Sequence, residues 1–252
     1  YQPPDEQVFA ADESCDFPPT FNGTRRGSRL TAPALLGNPD DFAARGKLMW
    51  SVWGGEGLSE GDYIHVRLDG SATAECGDVI GLWRAAGGRV AARGVRGKVY
   101  RAVATARVIR VDERVATAVI RDSFVEARRG DLVGDPIPVD VTVDVRAPSG
   151  EIEANVIARL ESDLVLAGTY ETVFIDRGTD DGVDVGTAFY MVVQRDGRSR
   201  STQRDDSRLP ERVVGRVVVV RASEQHATAV VVDASQEFAI GQRLVSTPND
   251  EE

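Results

Sequence analysis

Two histidines, His65 and His226, and two cysteines, Cys15 and Cys76, are the chain's whole stock of imidazole and thiol chemistry. Imidazole is the one side chain that ordinarily changes charge near neutral pH, so its placement weighs heavily in any catalytic reading. His65 stands in an alternating apolar–polar run, Asp62-Tyr-Ile-His-Val-Arg-Leu, and His226 borders a turn before Ala227-Thr-Ala-Val. The sequence has no Gly-x-Ser-x-Gly elbow, no His-Glu-x-x-His pair and no glycine-rich phosphate loop. These residues predict a chain that is not an enzyme, with no catalytic residue and no cofactor.

Carboxylates and guanidiniums form two local clusters. Asp176, Asp180, Asp181 and Asp184 surround Gly178 and Gly182. An oxygen-ligand calcium loop would use such residues, but the spacing departs from the EF-hand pattern, which needs acids at positions 1, 3 and 5 before its glycine. The cluster is read as a turn whose Asp side chains cap nearby amides, with no metal bound. Arg195, Arg198, Arg200, Arg204 and Arg208 lie in a polar stretch that ends at Arg212. Long loops in compact domains are uncommon unless functional or disordered. This one is a candidate contact for an acidic partner surface or an anionic polymer, or else a solvated loop. The two cysteines lack metal-site spacing. Either they form one disulfide, closing a loop worth about 4 kcal/mol, or they remain thiols in a reducing compartment.

A duplication organises these residues. Gly61-Asp-Tyr-Ile-His-Val and Gly77-Asp-Val are answered by Tyr170-Glu-Thr-Val-Phe-Ile and Gly186-Thr-Ala, at an offset of 109. After a two-residue slip, Ala116-Thr-Ala-Val and Gly130-Asp-Leu-Val are answered by Ala227-Thr-Ala-Val and Gly241-Gln-Arg-Leu-Val. A repeat of this length is a duplicated domain, since solenoid units run to roughly 20–50 residues. The copies do not share the special residues. Phe174 answers His65, Val115 answers His226, and Arg67, Ser71, Ala72 and Glu75 answer the four aspartates.

The positioning elements are strands. Period-two alternation marks 62–68, 99–111, 139–146, 171–176 and 189–194. Further strand-rich runs span 212–221 and 226–233. Asp-Gly and Gly-Asp turns separate several of them. Helical signals are weak and limited to single turns near 41–49 and 123–128. Val217–Val220 suits either a sheet edge or a central strand. The sequence therefore predicts a mainly β fold: two tandem, related small β-barrel or sandwich domains of SH3-like size. They would span 41–137 and 138–252, behind a proline-rich extended arm at 1–40.

Composition bounds the partners. A formal charge of −10, with a pI near 4.9, argues against bulk binding to nucleic acid. No apolar run approaches the ~20 residues of a membrane-spanning helix, and no signal peptide is seen. Lys47 and Lys98 are the only lysines, so arginine carries nearly all the positive charge.

In order, Val173-Phe-Ile-Asp-Arg-Gly-Thr-Asp-Asp-Gly-Val-Asp-Val-Gly186, Leu209-Pro-Glu-Arg-Val-Val-Gly-Arg-Val-Val-Val220, Ala227-Thr-Ala-Val230 and Ile240-Gly-Gln-Arg-Leu244 resemble a known pattern. It is the region that follows the LysM domain in the LysM-containing, type IV pilus secretin-associated protein family. Gly61-Asp-Tyr-Ile-His-Val and Gly77-Asp-Val match the first half of that region. The second half is also similar to the carboxy-terminal domain of flagellar assembly protein T. The resemblance covers about 41–246 and rests on turn and strand signatures. It implies a non-catalytic, periplasmic, outer-membrane-associated scaffold that contacts a secretin or another envelope complex, multivalently around a ring. Peptidoglycan would be held only through a LysM segment upstream, because no LysM sequence is present here. An oxidising periplasm would favour a Cys15–Cys76 bond. The alternative reading is a module that binds wall glycan or another envelope polymer without a secretin.

Overall fold

A computed structural model describes residues 27–147, 150–161, 168–194, 209 and 211–246. The described chain is nearly all β, as the alternation predicts. It divides into two compact units, and neither is one stretch of sequence. The first comprises Asn38–Ala85 and Arg101–Pro138. The second gathers the described part of 25–37, Ala86–Tyr100, and the chain from Val139 on.

In the first unit, strands β3 (Gly46–Ser51), β4 (Tyr63–Leu68), β7 (Val115–Ser123), the later part of β6 (Val95–Asp112), the first part of β5 (Val79–Ala92) and β8 (Leu132–Gly134) pair in that order. β8 also pairs with β3, so the ring closes. In the second unit, β10 (Glu153–Arg159), β11 (Thr172–Ile175), β14 (Ala227–Ala234), β13 (Arg212–Ala222), β12 (Ala188–Val193) and β15 (Arg243–Val245) close a barrel in the corresponding order. Closure leaves no unpaired edge. The duplication thus extends from turn motifs to strand pairing.

Each barrel is filled from one face of its strands. Ile64, Val66, Ile80 and Leu82 in the first core occupy the repeat positions of Val173, Ile175, Phe189 and Met191 in the second. Bulk is redistributed between copies: Ala127 is answered by Phe238, and both are buried. Ala116 and Ala118, with their counterparts Ala227 and Ala229, are also in the cores. Their small side chains suit a crowded barrel interior.

The second unit is completed by two segments that precede the second repeat. β1 (Ser28–Thr31) pairs antiparallel with β9 (Asp140–Val143). Leu30 and Ala32 pack with Val218, Val220 and Val230 outside the barrel, while Val217 and Val219 face its core. That resolves the valine run: β13 is a central strand, between β12 and β14, covered on both faces. The covering also explains why its apolar residues do not alternate. Burial of a side chain such as Leu30 contributes about 2 kcal/mol.

β2 (Ala34–Gly37) lies beside β6, where Gly97 comes so close to Gly37 that a side chain at 97 would meet its carbonyl. The distal part of the β5–β6 hairpin turns at Arg93-Gly94, both in the left-handed region, as a tight two-residue turn requires. Val90, Ala92, Val95 and Val99 then pack with Leu36, Leu160 and Phe174. The arginine- and glycine-bearing stretch 84–97 is therefore mostly strand.

The helical turns expected near 41–49 and 123–128 resolve differently. A 3-10 turn spans Pro39–Phe42, β3 starts at Gly46, and 124–128 is a bent, extended segment. Among the described residues no helix is long and apolar enough to cross a membrane.

Candidate ligand-binding cleft

The histidines sit in structural bonds. His65 Nδ1 lies 3.1 Å from the Thr117 hydroxyl across the β4–β7 pair. His226 Nε2 lies 3.0 Å from the Leu36 carbonyl and fastens β2 within the second unit. Arg221 does similar work. Its guanidinium donates to the carbonyls of Ala32 and Ala34 (the latter at 2.8 Å). Burial pulls its pKa down to about 10, so it remains a cation at neutral pH.

The aspartate cluster is divided among different partners. Asp176 is buried, accepts from the Asn155 amide at 2.6 Å, and pairs with Arg93 Nε at 2.9 Å. Asp181 accepts from the Gly178 amide at 3.1 Å, and Asp184 pairs with Arg146 at 3.2 Å. Asp180 is exposed. The Asp181 cap is the bonding expected of a turn.

Cys76 is disulfide-bonded, and its sulfur lies 3.3 Å from the Ile109 carbonyl. Cys15 lies outside the described residues, as do Arg195, Arg198, Arg200, Arg204 and Arg208.

A cleft in the first unit brings together residues the sequence reading left apart. Gly54, Glu56, Gly57, Glu126, Arg128 and Arg129 line a volume of about 720 Å³, within the usual range for ligand sites. An antiparallel bridge between Leu58 and Ala127, with reciprocal hydrogen bonds of 3.0 and 2.7 Å, joins its two walls. Gly57 leaves room for the Glu126 carboxylate; a Cβ there would lie 2.9 Å from Glu126 Oε2. Arg128 approaches Glu126 at 3.5 Å. Trp53 and Phe124 flank these walls in sequence and are exposed, at 47% and 38%.

The basic wall is held from beneath. Asp131, only 4% exposed, receives two 2.7 Å bonds from Arg84 Nε and Nη2. The same Nη2 donates to the Glu126 carbonyl at 2.9 Å, and Asp131 accepts from the Arg128 amide at 2.8 Å. Such a fork fixes geometry as well as charge. In the other barrel Val193 answers Arg84 and Gln242 answers Asp131; Gln242 donates instead to the carbonyls of Val192 and Arg243. Three of the cleft's four charged residues also diverge: Val165 answers Glu56, Ala239 answers Arg128 and Ile240 answers Arg129, whereas Glu237 answers Glu126.

The cleft was missed in sequence because its walls are some 70 residues apart and contain none of the motif-bearing residue types. The readable signal was the mismatch between copies at these positions. Neither protein-family models nor curated proteins match the chain.

Proposed function

We propose that the chain is a non-catalytic periplasmic scaffold of an envelope-spanning machine and associates with a type IV pilus secretin near the outer membrane. The observation that carries this reading is the doubling of one closed strand order, with conserved core positions and divergent loops. A doubled barrel multiplies surface, and repeated weak contacts around a ring gain from effective concentration. The resemblance of the ordered motifs to the secretin-associated family supports the partner class. The disulfide at Cys76 suits an oxidising compartment. The bonds at His65, His226 and Asp176 give these residues structural work.

The test is affinity capture from detergent-solubilised envelopes after muramidase digestion of the wall. Secretin retained on the tagged chain is expected; secretin lost on digestion overturns the reading. Reversing the charge of Arg198, Arg200 and Arg204 together is expected to weaken capture at least about tenfold. Unchanged capture would remove the arginine stretch from the interface.

A further inference from the structure

We infer that the cleft of the first unit binds a carboxylate-bearing saccharide chain. The inference goes beyond the secretin reading and does not depend on it.

Asp131 is buried in the barrel wall, and its partner Arg84 is 32% exposed. Placing charges in a barrel wall costs desolvation that a well-packed apolar pair would avoid. The second barrel closes at the same positions with Val193 and Gln242, so barrel closure does not require the ion pair. Arg84 and Asp131 fix both ends of the segment carrying Glu126, Arg128 and Arg129, through the Glu126 carbonyl and the Arg128 amide. A loop held in this way is preorganised, which lowers the ordering cost of binding. In the second copy this support is replaced together with Glu56, Arg128 and Arg129, while Glu237 answers Glu126.

The lining identifies the ligand class. Glu56 and Glu126 supply acceptors for hydroxyl groups, while Arg128 and Arg129 supply donors for hydroxyls and forked partners for carboxylates. Trp53 and Phe124, which adjoin the two walls in sequence, are aromatic side chains left partly open to solvent. An aromatic face is electron-rich, and the C–H face of a sugar ring is its electropositive complement. A carboxylated saccharide presents all three features. Nucleic acid fits poorly, because two carboxylates line the cleft and the chain carries −10 overall. A peptide adding as a strand also fits poorly, because Leu58 and Ala127 already pair their backbones at the wall.

The test uses the full chain and tryptophan fluorescence, with calorimetry as a second readout. Its probes are muramidase-solubilised peptidoglycan strands, an oligouronate, a neutral oligomer of N-acetylglucosamine of matched length, and an acidic peptide. Both carboxylated glycans are expected to quench and bind at least about tenfold more tightly than the neutral oligomer. Binding of only one identifies its source. Trp53→Ala and Arg129→Glu, both at exposed positions, are each expected to weaken binding about tenfold with unchanged thermal melting. Arg84→Met is expected to weaken binding without removing any cleft-lining group. Equal affinity for neutral and carboxylated glycans, preference for the peptide, or indifference to both surface variants overturns the inference. So does absence of glycan binding up to about millimolar concentration. Secretin capture is read separately, so failure of either proposal is distinguishable from failure of the other.

Discussion

Asp131 shows how one side chain can serve folding and site geometry together. It is nearly inaccessible, and its oxygens take the fork of Arg84 and the amide of Arg128. Asp131→Ala should leave the partly exposed Arg84 guanidinium without its carboxylate and cost about 2 kcal/mol in urea unfolding. The double variant Arg84→Met with Asp131→Leu should cost less than the single change, because no charge is then stranded. Similar losses for the two variants would show that the pair is not coupled. At this scale the sequence was partly legible. The turn character of the Gly178–Gly182 segment followed from spacing, and the Asp181 cap appears there. The partner of Asp176 did not follow, because Arg93 lies some 80 residues away and nothing local joins them.

At the scale of elements, strands with alternating apolar residues were legible because burial on one face writes a period of two. The four-residue strands β1 and β2 are too short to show a period, so the segment bearing them read as an arm. The β5–β6 hairpin past Arg84 shows no period of two, because Arg and Gly dominate it. Its apolar residues Val90, Ala92, Val95 and Val99 pack within the second unit. The pairing of β1 with β9 carries its own pH dependence. Arg29 and then Thr31 donate to Asp140 and hold its carboxyl below the ordinary 3.8. A carboxyl depressed in the fold stabilises it fully above its unfolded value and loses that contribution as pH falls through the folded value. Amide exchange in β1 and β9 should therefore accelerate as pH falls below about 4, beyond the acceleration in β11 and β14 after correction for intrinsic rates. Asp140→Asn should remove that difference. Equal pH responses in the two sheets of the native chain would contradict the assignment.

For the whole molecule, duplication was legible as repeated turns and Ala-Thr-Ala strands, and the matching strand orders extend it to pairing. The discontinuous make-up of the compact units was not legible, because it depends on which exposed apolar face a short segment covers. The nonalternating run Val217–Val220 was the available clue, with its outward valines packed beside Leu30 and Ala32. The disulfide bears on the whole chain as well. Neither cysteine should react with a thiol reagent under denaturing, non-reducing conditions, and both should react after reduction. Two reactive thiols before reduction would contradict the bond.

The central claim, a scaffold bound to a secretin, is most directly tested by the secretin-to-bait ratio in captures made before and after complete muramidase digestion. The account expects an unchanged ratio. A fall to the level of an untagged control on digestion would contradict it and leave the wall polymer as the link between the two.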